Sequence, residues 1–316
     1  MKLGTRIVSL LLAILLFGIS SPRSSKAQVG VFSREDMIKY TPEWNGERFP
    51  DGRPKVPDDI IERFKKVSIT SAWGILMGSG YKHQYESDWM CIHPDQVLVG
   101  RAVTAQYMPR RPVIRKIMEE KGEKDGRIGD QISWPIDVLV PGDVYVADCY
   151  GLVEGGPIVG DNLATAIYAN SGNGVVFDGS VRDIAGIEKI QALASCVRGW
   201  HPSQSSPEIM CMGLNTPIRM GHVTVMPGDV VLGKNGAVIF IPPHLAEKVV
   251  ITSEITSIRD EFGHQRLQEG KYTPGQIDSR WTDEIEKDFS QWLNDHLDDL
   301  PVPRETIQDY LKTRTW

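Results

Sequence analysis

Hydrophobic and polar positions divide the chain into stretches of distinct texture. Ile7 to Ile19 (IVSLLLAILLFGI) run without a charge, after a basic start at Lys2 and Arg6. Residues 28–55 show no periodicity and are rich in proline, glycine and charge (TPEWNGERFPDGRPKVP), which predicts an irregular N-terminal arm. Pro57-Asp58-Asp59 then opens a helical pattern, IIERFKKV. A proline and acids suit a first turn, whose free N–H groups favour negative charge.

From about residue 97 the texture becomes short β-rich runs ended by glycine or proline: VLVGRAVTAQYM, DVLVPGDVYVAD, GVVFDG, VTVMPGDVVLG and AVIFIP. Between them lies DNLATAIYANSG, with Leu163, Ala164 and Ile167 at helical spacing and Gly172 as its stop. Strands alternating with helices predict an α/β fold. Pro-Gly-Asp occurs at 141–143 and 227–229, each time before a β-run. A tripeptide is too short to establish a repeat, and convergent turn chemistry is the better account of the recurrence. After Pro242 the pattern is helical again (HLAEKVVITSEITSIRDEF). Further on, Trp281, Ile285, Phe289, Trp292 and Leu293 form one apolar helical face. That face predicts packing either on its own chain or on a neighbouring subunit.

The first 27 residues read as a secretory signal: basic start, apolar core, and a small-x-small site at Ser25-Lys26-Ala27. The apolar run is short for a membrane span, so an uncleaved anchor is the lesser alternative. Export to the periplasm or medium is the expectation. Cleavage removes four basic residues and no acids, taking the formal charge from −6 to −10. Such a surface repels phosphate backbones, and nucleic-acid binding is disfavoured. Four cysteines remain, Cys91, Cys149, Cys196 and Cys211, without CxxC spacing or accompanying histidines. This argues against a zinc site. Export permits disulfides. A Cys196–Cys211 pair is one reading, and buried free thiols are at least as good a one.

The chemistry-bearing stretch is 155–188, GGPIVGDNLATAIYANSGNGVVFDGSVRDIAGIE, which reads as loop, helix, strand, loop. A helix N-terminus and the C-terminal end of the following strand lie at one edge of a sheet. Asp161 can therefore meet Arg182 and Asp183, although twenty residues separate Asp161 from Arg182. Ligands bind at this edge in α/β folds. The first turn of the helix suits a carboxylate. Arg182 offers a planar fork for another. Asp183 offers hard oxygens for Mg²⁺, and Asp161 can take a proton or hold a metal-bound water. The bland alternatives are a surface ion pair for Arg182-Asp183 and a plain helix cap for Asp161.

These residues resemble the RraA-like family, which includes the 4-hydroxy-4-methyl-2-oxoglutarate aldolases. Asp161, Arg182 and Asp183 match the aldolases' Asp, twenty residues, Arg-Asp pattern without a gap. GVVFDGSVRD resembles the family's G-V-V-x-D-G-x-V-R-D. Gly100-Arg101-Ala102-Val103-Thr104, Pro141-Gly142-Asp143-Val144, Pro227-Gly228-Asp229-Val230 and the closing VIFIP add to the match. The resemblance covers roughly residues 56–250, one ordinary domain, leaving a helical C-terminal extension over 251–316. It implies a β/β/α swivelling-type domain that assembles as trimers or hexamers. It also implies a Mg²⁺- or Mn²⁺-dependent lyase that cleaves a 4-hydroxy-2-oxo acid, or decarboxylates oxaloacetate, through a pyruvate enolate. Carried over by position, Gly160, Asp161, Asn162 and Leu163 would grip the substrate carboxylate. Arg182 would bind the 2-oxo acid, and Asp183 would hold the metal, mostly through waters.

Some RraA relatives instead bind and inhibit ribonuclease E, and typically lack the aspartate at the Asp161 position. A non-catalytic binding protein is therefore the rival reading. A methyltransferase reading lacks the Gly-rich nucleotide loop it would need. The chain departs from the family pattern at Trp73-Gly74, where an aspartate is usual, and at Gly233-Lys234-Asn235-Gly236, which lacks acids. Trp73, His83, Tyr85, Trp89 and His93 are candidates for a differently shaped pocket or for ordinary core and loop. His201 is a candidate site contact or a surface-loop histidine. Asp178 is expected to be structural, satisfying its turn.

Overall fold

The computed structural model describes residues 30–296 and Ile307. The expected signal at 1–27 lies outside the described residues, as does nearly all of the chain beyond 296. Among the described residues no helix is long and apolar enough to cross a membrane.

Four strands run parallel at the centre: β3 (Leu98–Pro109), β4 (Asp143–Leu152), β5 (Val175–Val181) and β6 (Ser195–Trp200). Every residue of β5 is buried, as expected of a parallel strand covered on both faces. Antiparallel strands extend the sheet on each side. β10 (Val230–Lys234), β11 (Ala237–Ile241) and β1 (Tyr85–Glu86) follow from β3, and β2 (Met90–Ile92) closes the far edge beside β6. β7 (Ile209–Leu214) takes over beside β3 after β10 has stopped. The Lys-Asn-Gly run where the family pattern has acids is the β10–β11 hairpin turn, with Asn235 and Gly236 both at positive φ.

One face of the sheet is covered by helices. Ala164 and Ile167 of α5 (Asp161–Ser171) and Ile187 of α6 (Ile184–Ile187) pack with Val103, Tyr145 and Phe177. Beside them, α4 (Pro112–Lys124) is tied to β7 by Arg115, which donates to the Ile209 carbonyl at 3.1 Å. The other face is covered by a hairpin, β8 (Ile218–Met220) and β9 (Val223–Val225), whose buried residues meet Ala102, Val144 and Val176. The layers are thus hairpin, sheet and helix, a mixed α/β fold. A third apolar cluster lies under α2 (Asp58–Phe64), α3 (Ile69–Gly78) and the start of α7 (Ala246–Gln268), which pack on Leu232, Ile239 and Ile241.

α7 is one helix of 23 residues. It runs through position 250, where the sequence placed the end of the domain. Its distal part carries Ile258 and Phe262, which pack with Ile285, Phe289, Trp292 and Leu293 of a later helix, Asp283–Asp295. The Phe262 ring lies 5.2 Å from Phe289 and 5.7 Å from Trp292. The aromatic face therefore packs on its own chain.

The N-terminal arm carries a six-residue helix, α1 (Arg34–Lys39), capped by Ser33. Arg53 pins the arm to the sheet. Its guanidinium, 2% exposed, forks onto the Asp143 carboxylate at 3.2 and 3.3 Å, and its Nε reaches Asp51 at 2.8 Å. Burial raises the Asp143 carboxyl above its ordinary range, and the Arg53 guanidinium opposes the rise. Arg101 binds the Val56 carbonyl and the Asp58 carboxylate close by.

The two Pro-Gly-Asp segments fold alike. Asp143 accepts the Val140 N–H at 3.0 Å, and Asp229 accepts the Met226 N–H at 2.8 Å. Both turns grip the same point of β3: Arg101 donates its N–H to the Gly142 carbonyl, and Gly228 donates to the Ala102 carbonyl. They differ in one respect. Asp143 has a buried cation beside it. Asp229, equally buried, has only the Met226 N–H among the described residues, and burial pushes its carboxyl up to about 8.

These carboxylates generate two stability predictions. Arg53→Met should cost about 3–5 kcal/mol in denaturant unfolding, because Asp143 is left buried and unpaired. Adding Asp143→Asn should recover much of that loss. Asp229 has a folded-state pKa above its unfolded value, so its contribution falls as pH rises from the unfolded value through about 8. Asp229→Asn keeps an acceptor for Met226 and removes this titration. The variant should gain stability over the parent from pH 5 to pH 8, by on the order of a few kcal/mol at the upper end.

Candidate functional site

β4, β5 and β6 all end at one edge of the sheet, and the loops leaving them make the site. The loop after β4 returns across the end of β5. Val159 forms a parallel bridge with Val181, and the Arg182 N–H donates to the Val159 carbonyl at 3.0 Å. The next two residues, Gly160 and Asp161, are thereby laid against Arg182, Asp183 and the start of α6. From β6, His201 donates its N–H to the Val181 carbonyl at 3.0 Å.

Two glycines allow this contact to be close. A Cβ on Gly160 would lie 2.5 Å from Asp183 Oδ2 and 3.3 Å from Arg182 Nε. A Cβ on Gly186 would lie 2.5 Å from the Cβ of Asp161 and 2.7 Å from its Oδ2. Gly160 thus abuts Arg182-Asp183, and Asp161 abuts the adjoining turn of α6. The three residues singled out by spacing share one small region, with Gly160 at its centre.

Asp161 is the first residue of α5, with Gly160 as the N-cap. Its side chain does not cap the helix across the first turn. Instead Oδ1 accepts the N–H of the adjacent Asn162 at 2.9 Å. Asn162 and Leu163 lie in the first turn, where helix N–H groups lack intrahelical carbonyl partners. Arg182 Nη1 lies 3.2 Å from Asp183 Oδ2, and the two side chains are 41% and 44% exposed. A contact this open is available to a ligand. Asp183 sits at φ 55°, ψ 41°, left-handed backbone for a residue with a side chain. Such a conformation costs roughly 1–3 kcal/mol and clusters at functional sites. Its carbonyl accepts the N–H groups of Gly186 and Ile187, which holds the turn.

Asp161 and Asp183 against one guanidinium leave the region short of positive charge. No group of three or more His, Cys, Asp or Glu side chains among the described residues is arranged to hold a metal ion. This donor set fits a hard cation that keeps most of its waters, as Mg²⁺ does, and does not fit a closed zinc-type cage.

Other sequence candidates fall elsewhere. Asp178 does not serve its own turn but pairs with Arg198 at 2.7 Å. Trp89 is buried under the Arg198 guanidinium, 3.7 Å from ring centre to Cζ. Trp73, His83 and Tyr85 are exposed. His93 lines a cleft of about 520 Å³ beside Ile184 and Glu188, on the flank of α6. The His201 ring meets Ser203 Oγ at 2.9 Å, and Ser203 in turn accepts the Gly155 N–H at 2.8 Å. That histidine braces the loop arriving from β4. Sequence reasoning missed Gly186 and Ser203. The signal for Gly186 was a small residue three positions after Asp183; Ser203 carried none.

The chain resembles known proteins across this region. A profile of the RraA-like family, described as Aldolase/RraA, matches residues 59–239. Protein DlpA of Legionella pneumophila is 26% identical over 153 residues, 48% of this chain but only 23% of DlpA's own length. An Ectopseudomonas mendocina protein named "Putative 4-hydroxy-4-methyl-2-oxoglutarate aldolase" is 27% identical over 168 residues, 52% of this chain and 98% of that protein. Among solved structures, RraAS2 of Streptomyces coelicolor, an unusual member of the ribonuclease ES inhibitor RraA family, superposes with a TM-score of 0.55. It is 22% identical and covers 67% of this chain and 100% of its own.

The two glycines make a comparative prediction. Gly186→Ala should cost about 1–3 kcal/mol in denaturant unfolding, because its new methyl meets a Cβ fixed to the backbone. Gly160→Ala should cost less than about 1 kcal/mol, because the Asp183 carboxylate it meets can swing away.

Proposed function

The chain belongs to the RraA-like family, Aldolase/RraA, and we propose that it is a divalent-metal-dependent carbon–carbon lyase acting on a 2-oxo acid. The substrate class is a 4-hydroxy-2-oxo acid or oxaloacetate. The observation that carries this reading is the close packing of Gly160 and Asp161 on Arg182, Asp183 and Gly186. It gathers a carboxylate, a guanidinium fork and a helix N-terminus within one open region. An acid–base candidate, Asp161, stands beside them.

Each of these groups has a part in the chemistry. Arg182 forks onto the carboxylate of the 2-oxo acid and faces its 2-oxo oxygen. The first turn of α5 takes the far carboxylate through the Leu163 N–H and the Asn162 side chain, since the Asn162 N–H is held by Asp161. Asp161 accepts the proton of the 4-hydroxyl, directly or through one water. The C3–C4 bond then breaks, its electron pair moves to the 2-oxo oxygen, and a carbonyl forms at C4. Arg182 stabilises the resulting enolate oxygen with its guanidinium charge, from a backbone position held by the Val159 carbonyl. A divalent cation held by Asp183, when bound, supplies further positive charge to that oxygen. Protonation at C3 completes pyruvate. Oxaloacetate enters the same sequence by losing carbon dioxide in place of the aldehyde or ketone fragment.

The reading includes assembly as a homotrimer or hexamer. The 41% exposure of Arg182 in a single chain and the exposed apolar residues Val113, Ile117 and Ile128 support such an assembly. It also includes export, on the strength of the leader pattern.

The test is pyruvate release from oxaloacetate and from 4-hydroxy-4-methyl-2-oxoglutarate by the purified chain. Turnover should require Mg²⁺ or Mn²⁺ and stop with EDTA. Arg182→Ala and Asp183→Asn, the latter keeping a residue tolerant of the left-handed backbone, should each lower kcat/KM by about 10²–10³ without changing the unfolding midpoint. No turnover of either compound, with no Mg²⁺ binding dependent on Asp183, would sink the lyase reading and favour a non-catalytic regulatory protein.

A further inference from the structure

Two cysteines with no part in the proposed chemistry face each other at the far edge of the sheet. β2 pairs antiparallel with β6, and Cys91 stands directly opposite Cys196 in that register. Their Sγ atoms are 3.5 Å apart. Directly opposed residues on antiparallel strands have Cα atoms roughly 4.5–5.5 Å apart, inside the range that a disulfide spans. Closing the gap therefore asks for side-chain rotation and no backbone movement.

The surroundings distinguish the two sulfurs. Cys91 is half-buried and lines the cleft that also holds His93 and Glu188. Cys196 is buried behind it. The contact with Cys196 brings the Cys91 thiol down to about 7, and the same contact raises Cys196. The accessible sulfur is thus the one with thiolate character, as thiol–disulfide exchange requires. The remaining cysteines have neither property. Cys149 and Cys211 are buried in the apolar cluster on the opposite face of the sheet from Cys196. Burial raises both thiols. The Cys196–Cys211 pair that the sequence left open is therefore split by the sheet itself.

We propose that Cys91 and Cys196 are a disulfide-forming pair, oxidised by a disulfide-bearing molecule that enters through the cleft at Cys91. The Cys91 thiolate attacks one sulfur of the oxidant's disulfide. That bond breaks, and the oxidant's other sulfur leaves with the electron pair and picks up a proton. The Cys196 sulfur, giving up its proton to solvent, then attacks the mixed disulfide at Cys91 and expels the second oxidant sulfur as a thiol. Two protein thiols are oxidised to one disulfide, and one oxidant disulfide is reduced to two thiols. The bond joins positions 105 apart in sequence and staples the edge strand β2 to β6. It is independent of the lyase reading, since neither sulfur touches Arg182 or the two site aspartates.

The experiment treats the purified full chain with glutathione disulfide and then with dithiothreitol. The oxidised protein should lose the mass of two hydrogen atoms, and non-reducing peptide mapping should join the Cys91 and Cys196 peptides. The oxidised form should unfold roughly 5–15 °C above the reduced form. Cys91→Ser and Cys196→Ser should each abolish the mass loss. Four alkylatable thiols after oxidation and denaturation would overturn the proposal. A bridge to Cys211 or Cys149, or a glutathione adduct that stays on Cys91 unresolved, would overturn it too.

Discussion

The candidate site depends on a close approach between two loops, with a glycine at each point of contact. Gly160 lies against Asp183 and Arg182, and Gly186 lies against Asp161. Each loop carries its chemical groups next to the other's empty position. This reciprocal packing turns two segments twenty residues apart into one surface. It rests on the Val159–Val181 bridge and the Arg182–Val159 hydrogen bond, which fix the backbones before any side chain is placed. The left-handed backbone at Asp183 is part of the same arrangement, because it turns the chain sharply from β5 into α6.

The opposite edge of the sheet is held in a different way. There the two Pro-Gly-Asp turns clamp β3 at Arg101 and Ala102, and the N-terminal arm is tied on by a buried ion pair. Burying Arg53 and Asp143 removes two charges from water, a cost repaid only by good geometry and further hydrogen bonds. The bidentate contact, the Asp51 carboxylate and the Val140 N–H supply these. The second turn has no such cation, and its aspartate is driven toward the neutral acid. One turn motif thus serves as an anchor in one copy and as a plain strand start in the other. The candidate site and the buried ion pair occupy opposite ends of the strands, and the site's end is the one where α/β sheets favour ligands.

The outer strand and the C-terminal helices complete the molecule without entering the site. Trp89, just before the edge strand, stacks under Arg198, which in turn holds the Asp178 side chain of β5. The aromatic cluster around Phe262 gives the end of α7 a small core of its own. These are local solutions to burial. They explain why large aromatic residues outside the family pattern need not line a pocket.

The sequence by itself determined the alternation of strands and helices, the course of α5 from Asp161 to its glycine stop, and the adjacency of Asp161 to Arg182 and Asp183. These are local or motif properties: hydrophobic period, turn residues, and the rule that a helix start and the next strand's end share a sheet edge. Only the tertiary structure decided what depends on who faces whom. Cys196 meets Cys91 and not Cys211 because alternate residues of β6 point to opposite faces of the sheet, and sequence distance carries no information about that. Asp178 meets Arg198 across neighbouring strands for the same reason. The end of the family domain at 250 disappears into α7 because a helix does not mark where its packing partner changes. The value of Gly160 and Gly186 was hidden because a glycine in sequence records permission for close approach, while the group that approaches is known only once the chain has folded.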